Sequence, residues 1–183
     1  DPATDGPLAG REEEWSVVSH YRVGLLLEAR NWPEAERLQR MLVDWARQRA
    51  AGALRLSLGQ LDPTGRNAIR TLAVSVEALG HIQQEQRQPE CAGGYEEGAD
   101  LFRRIGDQQG EAGVAFNLGH AYMDLPELRD LDPAERWSRR SLELRAEEDR
   151  LGRGRCHAQL GAVVVERFRE ARASLDFHGT SVT

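Results

Sequence analysis

The chain has 183 residues and a formal net charge of −6, and all 24 of its basic residues are arginine. Without lysine it can form neither a Gly-Lys phosphate-binding loop nor a Schiff base, which excludes an autonomous NTPase. The arginines are interspersed among 30 acidic residues rather than gathered in a stripe, so no direct nucleic-acid partner is expected.

The composition favours helices and a reducing compartment. Apolar residues make up 40% of the chain and aromatic residues only 6%, with Ala, Leu and Val predominating, which predicts an all-α fold. Cys91 and Cys156 share no metal-ligand spacing and cannot build a disulfide framework. No apolar run approaches the roughly 18 to 20 residues that span a bilayer, so we expect a soluble, cytoplasmic protein without membrane contact.

Apolar periodicity and Gly/Pro breaks predict seven or eight helices in chain order. A linker or disordered N-terminus is expected over residues 1–12, a single helical repeat domain over 13–177 and a flexible tail over 178–183, the whole being a piece of a longer protein. The predicted helices span 12–30, 33–58, 67–86 and 95–105, then one through Ala112 and Tyr122, one from Asp132, one through Cys156 and Val164, and a truncated eighth over 168–177.

A short pattern recurs four times, each time with a glycine inside a predicted helix. The four copies are Val23-Gly24, Leu79-Gly80, Leu118-Gly119 and Leu160-Gly161. A glycine inside a helix costs roughly 1 kcal/mol of helix propensity, which close packing against a partner helix would offset. We therefore expect four helical hairpins, each with its glycine against a neighbouring helix.

The pattern resembles the tetratricopeptide repeat (TPR) family, whose hairpin reads Trp-x-x-Leu-Gly-x-x-Tyr and then Ala-x-x-x-Phe. Its best copy here is Ala115-x-x-Leu118-Gly119-x-x-Tyr122 followed by Ala134. The glycines lie 56, 39 and 42 residues apart, so the units are longer than the standard 34 or so residues. Such irregular units are similar to the arrays attached to bacterial multidomain signalling proteins. The resemblance implies an α-solenoid of about four TPR-like hairpins.

The resemblance also implies where a partner binds, because the first helix of each TPR hairpin lines the concave wall. It places there apolar and charged side chains that suit a peptide or helix with apolar anchors and positive charge. The candidate partner-binding residues are Tyr21, Leu25, Glu28, Glu77, His81, Gln84, Glu85, Phe116, His120, Met123, Asp124 and Arg155.

Two patterns could indicate chemistry instead. His81 and His120 each have a carboxylate four residues on, which suits either a metal or pH-sensing pair or two ordinary surface pairs. Cys156-His157 could indicate a thiolate nucleophile, but adjacent helical residues diverge by about 100°. We expect His157 to pack in the fourth unit and Cys156 to be buried. No catalytic residue, metal or cofactor is assigned.

The sequence therefore predicts a non-enzymatic scaffold or sensor module of a signalling or regulatory protein, which binds a protein or peptide segment on its concave face. The alternative is an intramolecular regulatory domain that packs on an effector domain of its own longer chain. In that case the isolated module would self-associate weakly. A metal-dependent or Cys/His-dependent hydrolase is a third, less favoured hypothesis.

Overall fold

The computed structural model describes residues 6–7 and 9–179, with side chains up to Ser174, and this part of the chain is all-α. Within it the chain forms seven α-helices, with two short 3₁₀ turns at Ala53–Arg55 and Leu58–Gln60, and no strand. The helices are α1 Glu12–Glu28, α2 Trp32–Ala50, α3 Pro63–Glu85, α4 Cys91–Ile105, α5 Gln108–Asp124, α6 Leu131–Leu144 and α7 Arg150–Gly179.

The helices fall into two compact units that divide between Asp107 and Gln108. The first unit contains α1 to α4 and the second contains α5 to α7. Within each unit every helix packs against the next one in the sequence. Short connections between antiparallel neighbours are the usual basis of such helical hairpins.

The core of the first unit lies between α1, α2 and α3. Leu38 and Leu42 of α2 are fully buried and form one cluster with Val23 of α1 and Ile82 of α3. Gln39 of α2 is also buried, and its side-chain amide donates to the Ser75 carbonyl at 2.9 Å. Burying an amide without a partner would be costly, so this bond fixes α2 against α3.

Two tryptophans join α1 to α2. The Trp15 and Trp45 rings meet edge-on with their centroids 6.4 Å apart, an arrangement that aromatic pairs favour. The Arg49 guanidinium lies over the Trp45 ring at 5.0 Å from its centroid, where the ring quadrupole attracts a cation. The sequence suggested that Trp32 alone is partly exposed, but Trp15 and Trp137 are half-buried as well.

The α3 and α4 backbones meet at a pair of glycines. A Cβ built on Gly80 would lie 3.0 Å from the Tyr95 ring, and one built on Gly94 would lie 3.3 Å from the Val76 carbonyl oxygen and 3.5 Å from the Gly80 Cα. Tyr95 is fully buried, and its hydroxyl donates to Gln84 Oε1 at 2.7 Å. This crossing therefore depends on two missing side chains and one large buried ring.

In the second unit, two helices also approach closely at a glycine, Gly119 of α5. A Cβ there would lie 2.8 Å from Ser138 Oγ and 3.1 Å from the Ala134 carbonyl oxygen, both on α6. The Ser141 hydroxyl donates to the Ala112 carbonyl at 2.7 Å and ties the same two helices together. Small buried side chains thus let α5 and α6 approach closely.

The expectation of four packed glycines is wrong at two positions. No atom lies within 4 Å of a Cβ built on Gly24 or Gly161. α1 turns Val23 toward α2, which leaves Gly24 on the outer side of the helix. α7 has no following helix among the described residues, so nothing covers Gly161.

The expected eighth helix is not separate, because α7 runs without a break from Arg150 to Gly179. Neither glycine nor proline occurs between Ala162 and His178, so nothing in that stretch ends the helix. α2 ends at Ala50 rather than Leu58, and the 3₁₀ turns occupy the remainder. α4 begins at Cys91 rather than Tyr95, because Gly93 and Gly94 lie inside the helix instead of breaking it.

Substituting alanine at the two glycines of the second unit should change stability in opposite directions. Gly119→Ala forces a methyl group against α6, and the overpacking exceeds the gain in helix propensity, so the free energy of unfolding should fall by about 1 kcal/mol. Gly161→Ala meets open space and should raise it by up to about 1 kcal/mol. Urea denaturation followed by circular dichroism measures both. Equal effects would show that Gly119 does not set the α5–α6 distance.

Candidate functional site

The candidate residues of the first helix form an exposed apolar surface. Tyr21 is 75% exposed and Leu25 is 64% exposed, and Glu28 lies one turn further on the same side. A shallow depression of about 400 Å³ lies here, lined by His20, Tyr21, Gly24, Leu25 and Glu28. Its volume is within the range of small-ligand and side-chain pockets.

This exposed surface includes more residues than the three that the sequence predicted on α1. Val17 and Val18 are 55% and 57% exposed, and Glu14 continues the same face toward the helix start. We call this face the α1 stripe: Glu14, Val17, Val18, Tyr21, Gly24, Leu25 and Glu28. A sequence signal existed, since α1 has apolar residues on all sides and such a helix is usually covered on more than one side.

The α3 candidates serve two purposes. His81 and Glu85 are exposed, whereas Gln84 is half-buried and accepts the hydrogen bond from Tyr95. Glu77 is half-buried, and desolvation raises the pKa of its carboxyl group above the usual value. Gln84 therefore supports the packing of α3 on α4, and His81 and Glu85 remain available to a partner.

The α5 candidates are less exposed than the α1 stripe. Phe116 is half-buried, and its carbonyl accepts a bond from the Gln159 amide at 3.2 Å. Met123 is half-buried and packs against the cluster of Leu131, Ala134 and Val163. The Met123 side chain therefore contributes to the core of the second unit, and Phe116 is only partly covered.

The remaining candidates of the second unit are polar. His120 Nε2 lies 3.3 Å from Asp124 Oδ2, the i, i+4 pair that the sequence indicated. Arg155 of α7 is exposed. The twelve candidates thus divide between the units, with those of α1 and α3 in the first and those of α5 and α7 in the second.

The two cysteines are free thiols and both are buried. Burial raises the pKa of the Cys91 thiol to about 11, which keeps it protonated and unreactive at neutral pH. Cys156 is fully buried, and its Sγ lies 3.3 Å from Ser141 Oγ. His157 is exposed, contrary to the expectation that it packs inside the fourth unit, because Cys156 rather than His157 faces α6.

The described residues contain no group of three or more His, Cys, Asp or Glu side chains placed to hold a metal ion. Among the helices described, none combines the length and the apolar content needed to cross a bilayer.

Comparison with known proteins gave no relative: no family model, no curated protein and no solved structure matches this chain.

Glu77→Gln should stabilise the protein at neutral pH. Because desolvation raises the pKa of Glu77 in the folded state, the folded protein holds this proton more tightly than the unfolded chain does. The wild type therefore loses stability as the pH rises above the ordinary carboxyl range, and the variant avoids that loss. Its advantage in urea midpoint should be largest near pH 7 and disappear near pH 3. Glu85→Gln, at an exposed position, is the control and should shift the midpoint little.

Both thiols should resist modification in the folded protein. Burial limits access to Cys91 and Cys156, and the raised pKa of Cys91 further reduces its thiolate fraction. In Ellman's assay at pH 8, we expect both to react at least a hundredfold more slowly in buffer than in denaturant. Rapid reaction of one thiol in buffer would contradict this account and revive the nucleophile hypothesis.

Proposed function

We propose that this chain is a non-enzymatic interaction module, a TPR-like α-solenoid that binds a peptide or helical segment of a partner protein. Two observations support the TPR-like architecture. Leu79-Gly80 and Leu118-Gly119 occupy equivalent places in two hairpins, and each glycine contacts the helix that follows it. These two hairpins thus each pack around their own glycine, as expected of a repeat unit.

The α1 stripe is the observation that carries the binding proposal. Its large side chains Val18, Tyr21 and Leu25 are all more than half exposed and lie along one face of a single helix. A contiguous apolar face of this kind on a protein surface marks an interaction site more often than chance exposure does. Tyrosine is also among the residues enriched at the energetic centre of protein interfaces.

Charge defines the partner more closely. The α1 stripe begins at Glu14 and ends at Glu28, and the whole of α1 carries four glutamates and one arginine, a formal charge of −3. The complementary segment is an amphipathic helix with aliphatic anchors at helical spacing and a basic residue toward each end. The acidic ends would steer such a segment and speed its association, while the apolar centre holds it.

The site chemistry supports a non-enzymatic role. Cys91 is buried, and its raised pKa keeps the thiol protonated at neutral pH, so it supplies no nucleophile. The α1 stripe would also suit the intramolecular alternative, in which the bound segment belongs to the protein's own longer chain. That alternative has the same recognition chemistry and differs only in the source of the segment.

A designed peptide tests the proposed site. The probe is a fluorescein-labelled amphipathic helix with leucines on one face and arginines at both ends, and its counterpart has glutamates in place of the arginines. We expect the arginine-flanked peptide to bind at least tenfold more tightly, with an affinity that falls as salt rises. Fluorescence anisotropy measures both. Equal affinities would contradict the proposed charge recognition.

Protein variants locate the binding on α1. Tyr21→Ala combined with Leu25→Ala removes the two most exposed anchors and should weaken binding of the arginine-flanked peptide at least tenfold. Val74→Ala, an equally simple truncation at a 48% exposed residue of α3, is the matched control and should have no effect. The helical circular dichroism signal should stay unchanged in both, because the side chains are largely exposed. Loss of helicity would instead assign Tyr21 and Leu25 to the core.

A further inference from the structure

A second exposed apolar face lies on α7. Leu151, Val165 and Phe168 are 69%, 48% and 67% exposed, and Gly161 has open space above it. We call this face the α7 stripe: Leu151, Gly154, Arg155, Ala158, Gly161, Val165, Phe168 and Arg169, all of them exposed. Apart from its two arginines, its residues follow alternating spacings of three and four, the seam of a helix that packs lengthwise on another helix.

The chemistry of α7 is the opposite of that of α1. Over residues 150–174, α7 carries six arginines and two glutamates, a formal charge of +4. The α7 stripe thus has the aliphatic anchors and basic flanks that the proposed function requires of a ligand for α1. A segment that fits the α1 stripe is therefore present in the chain itself.

The positions of the charges match along the two helices. Glu14 and Glu28 are 14 residues apart, and so are Arg155 and Arg169. At 1.5 Å per residue both pairs are separated by about 21 Å. Aligning the two pairs brings Tyr21, midway between the glutamates, to the level of Ala162, one residue from Gly161. This holds whether the helices run parallel or antiparallel.

The shapes match as well. Tyr21 is the largest side chain of the α1 stripe, and Gly161, like Gly154, is an open position of the α7 stripe. At the equivalent Gly80 and Gly119 within the chain, a neighbouring helix fills the space that a side chain would take. At Gly80 the large Tyr95 ring lies opposite the missing side chain, and Tyr21 close to Gly161 would repeat that packing between two copies.

We propose that the α1 stripe of one copy binds the α7 stripe of a second copy, so that the protein associates head to tail. This proposal rests on the proposed function. Contacts of α1 with α1, or of α7 with α7, would place like charges together. Glu14 now contacts Arg11, and Arg169 contacts Glu166, but such exposed pairs contribute only about 0–1 kcal/mol and exchange readily.

The contact is expected to be modest in strength. Two helix faces about 21 Å long bury on the order of 1,000 Å², the lower bound for a specific interface. Because the two surfaces differ, the contact leaves one free stripe at each end and can continue to longer chains or close into a ring. Association should therefore increase with concentration and decrease with salt.

Charge reversal in two variants tests the proposal. One variant carries Glu14→Arg and Glu28→Arg, and the other carries Arg155→Glu and Arg169→Glu. Analytical ultracentrifugation of the wild type should show reversible association, and each variant alone should weaken it at least tenfold. An equimolar mixture of the two should restore association, because every contact between unlike copies then pairs opposite charges. Circular dichroism checks that both variants remain folded.

The outcomes separate the possible modes. Association of one variant alone at wild-type strength identifies a contact between like stripes and overturns the head-to-tail arrangement. A mixture no more associated than its components overturns the pairing of these charges. A wild type that stays monomeric up to about 1 mM overturns self-association altogether.

The designed peptide separates this proposal from the proposed function. If the wild type is monomeric but the arginine-flanked peptide still binds through Tyr21 and Leu25, the α1 site stands and the second copy is the wrong occupant. If neither associates, both proposals fail. Gly161→Leu adds an independent check, because it fills the open position without touching α1 and should weaken self-association but not peptide binding.

Discussion

Close approach of helix backbones at glycine is the constraint on which this structure depends. At Gly80 and Gly94, and most closely at Gly119, a side chain would crowd a ring, a hydroxyl or a main-chain carbonyl of the neighbouring helix. A larger residue at these positions would force the neighbouring helix to shift, since interiors are packed as densely as organic crystals. Buried small residues, among them Ser138 and Ala134, complete the contact in the second unit. The polar bonds described above then fix the register of helices already held close.

The sequence predicted the helices better than it predicted their partners. Apolar spacing located all seven helices, because it reports which residues of one helix avoid water. It could not tell whether a helix covers a given glycine, since the uncovered Gly161 follows leucine just as the covered Gly80 and Gly119 do. The eighth helix, expected over 168–177, failed for a related reason: no glycine or proline before it interrupts the seventh. Contacts between helices, rather than the local sequence, determine whether a glycine is covered.

The candidate site was predicted in part. Tyr21, Leu25 and Glu28 were named from the sequence and lie on an exposed face, whereas Phe116 and Met123 are half-buried in the second unit. The TPR resemblance assigned residues by their place in a motif, and motif position does not determine how far a side chain is covered. The α7 stripe was missed because its residues were divided between two expected helices. Only the unbroken helix brings Leu151 and Phe168 onto one face.

Arg129 has a consequence for the far part of α7. Its guanidinium donates to Glu166 at 2.9 Å, to Glu170 at 3.0 Å and to the Met123 carbonyl at 3.0 Å, so one side chain clamps the end of α5 to α7. From Ala171 to Ser174 the side chains are exposed, so this turn of the helix gains little from packing. Short helical segments without packing are marginal in water. The clamp therefore acts as the template from which this turn propagates, and removing it would make the turn more prone to unfold.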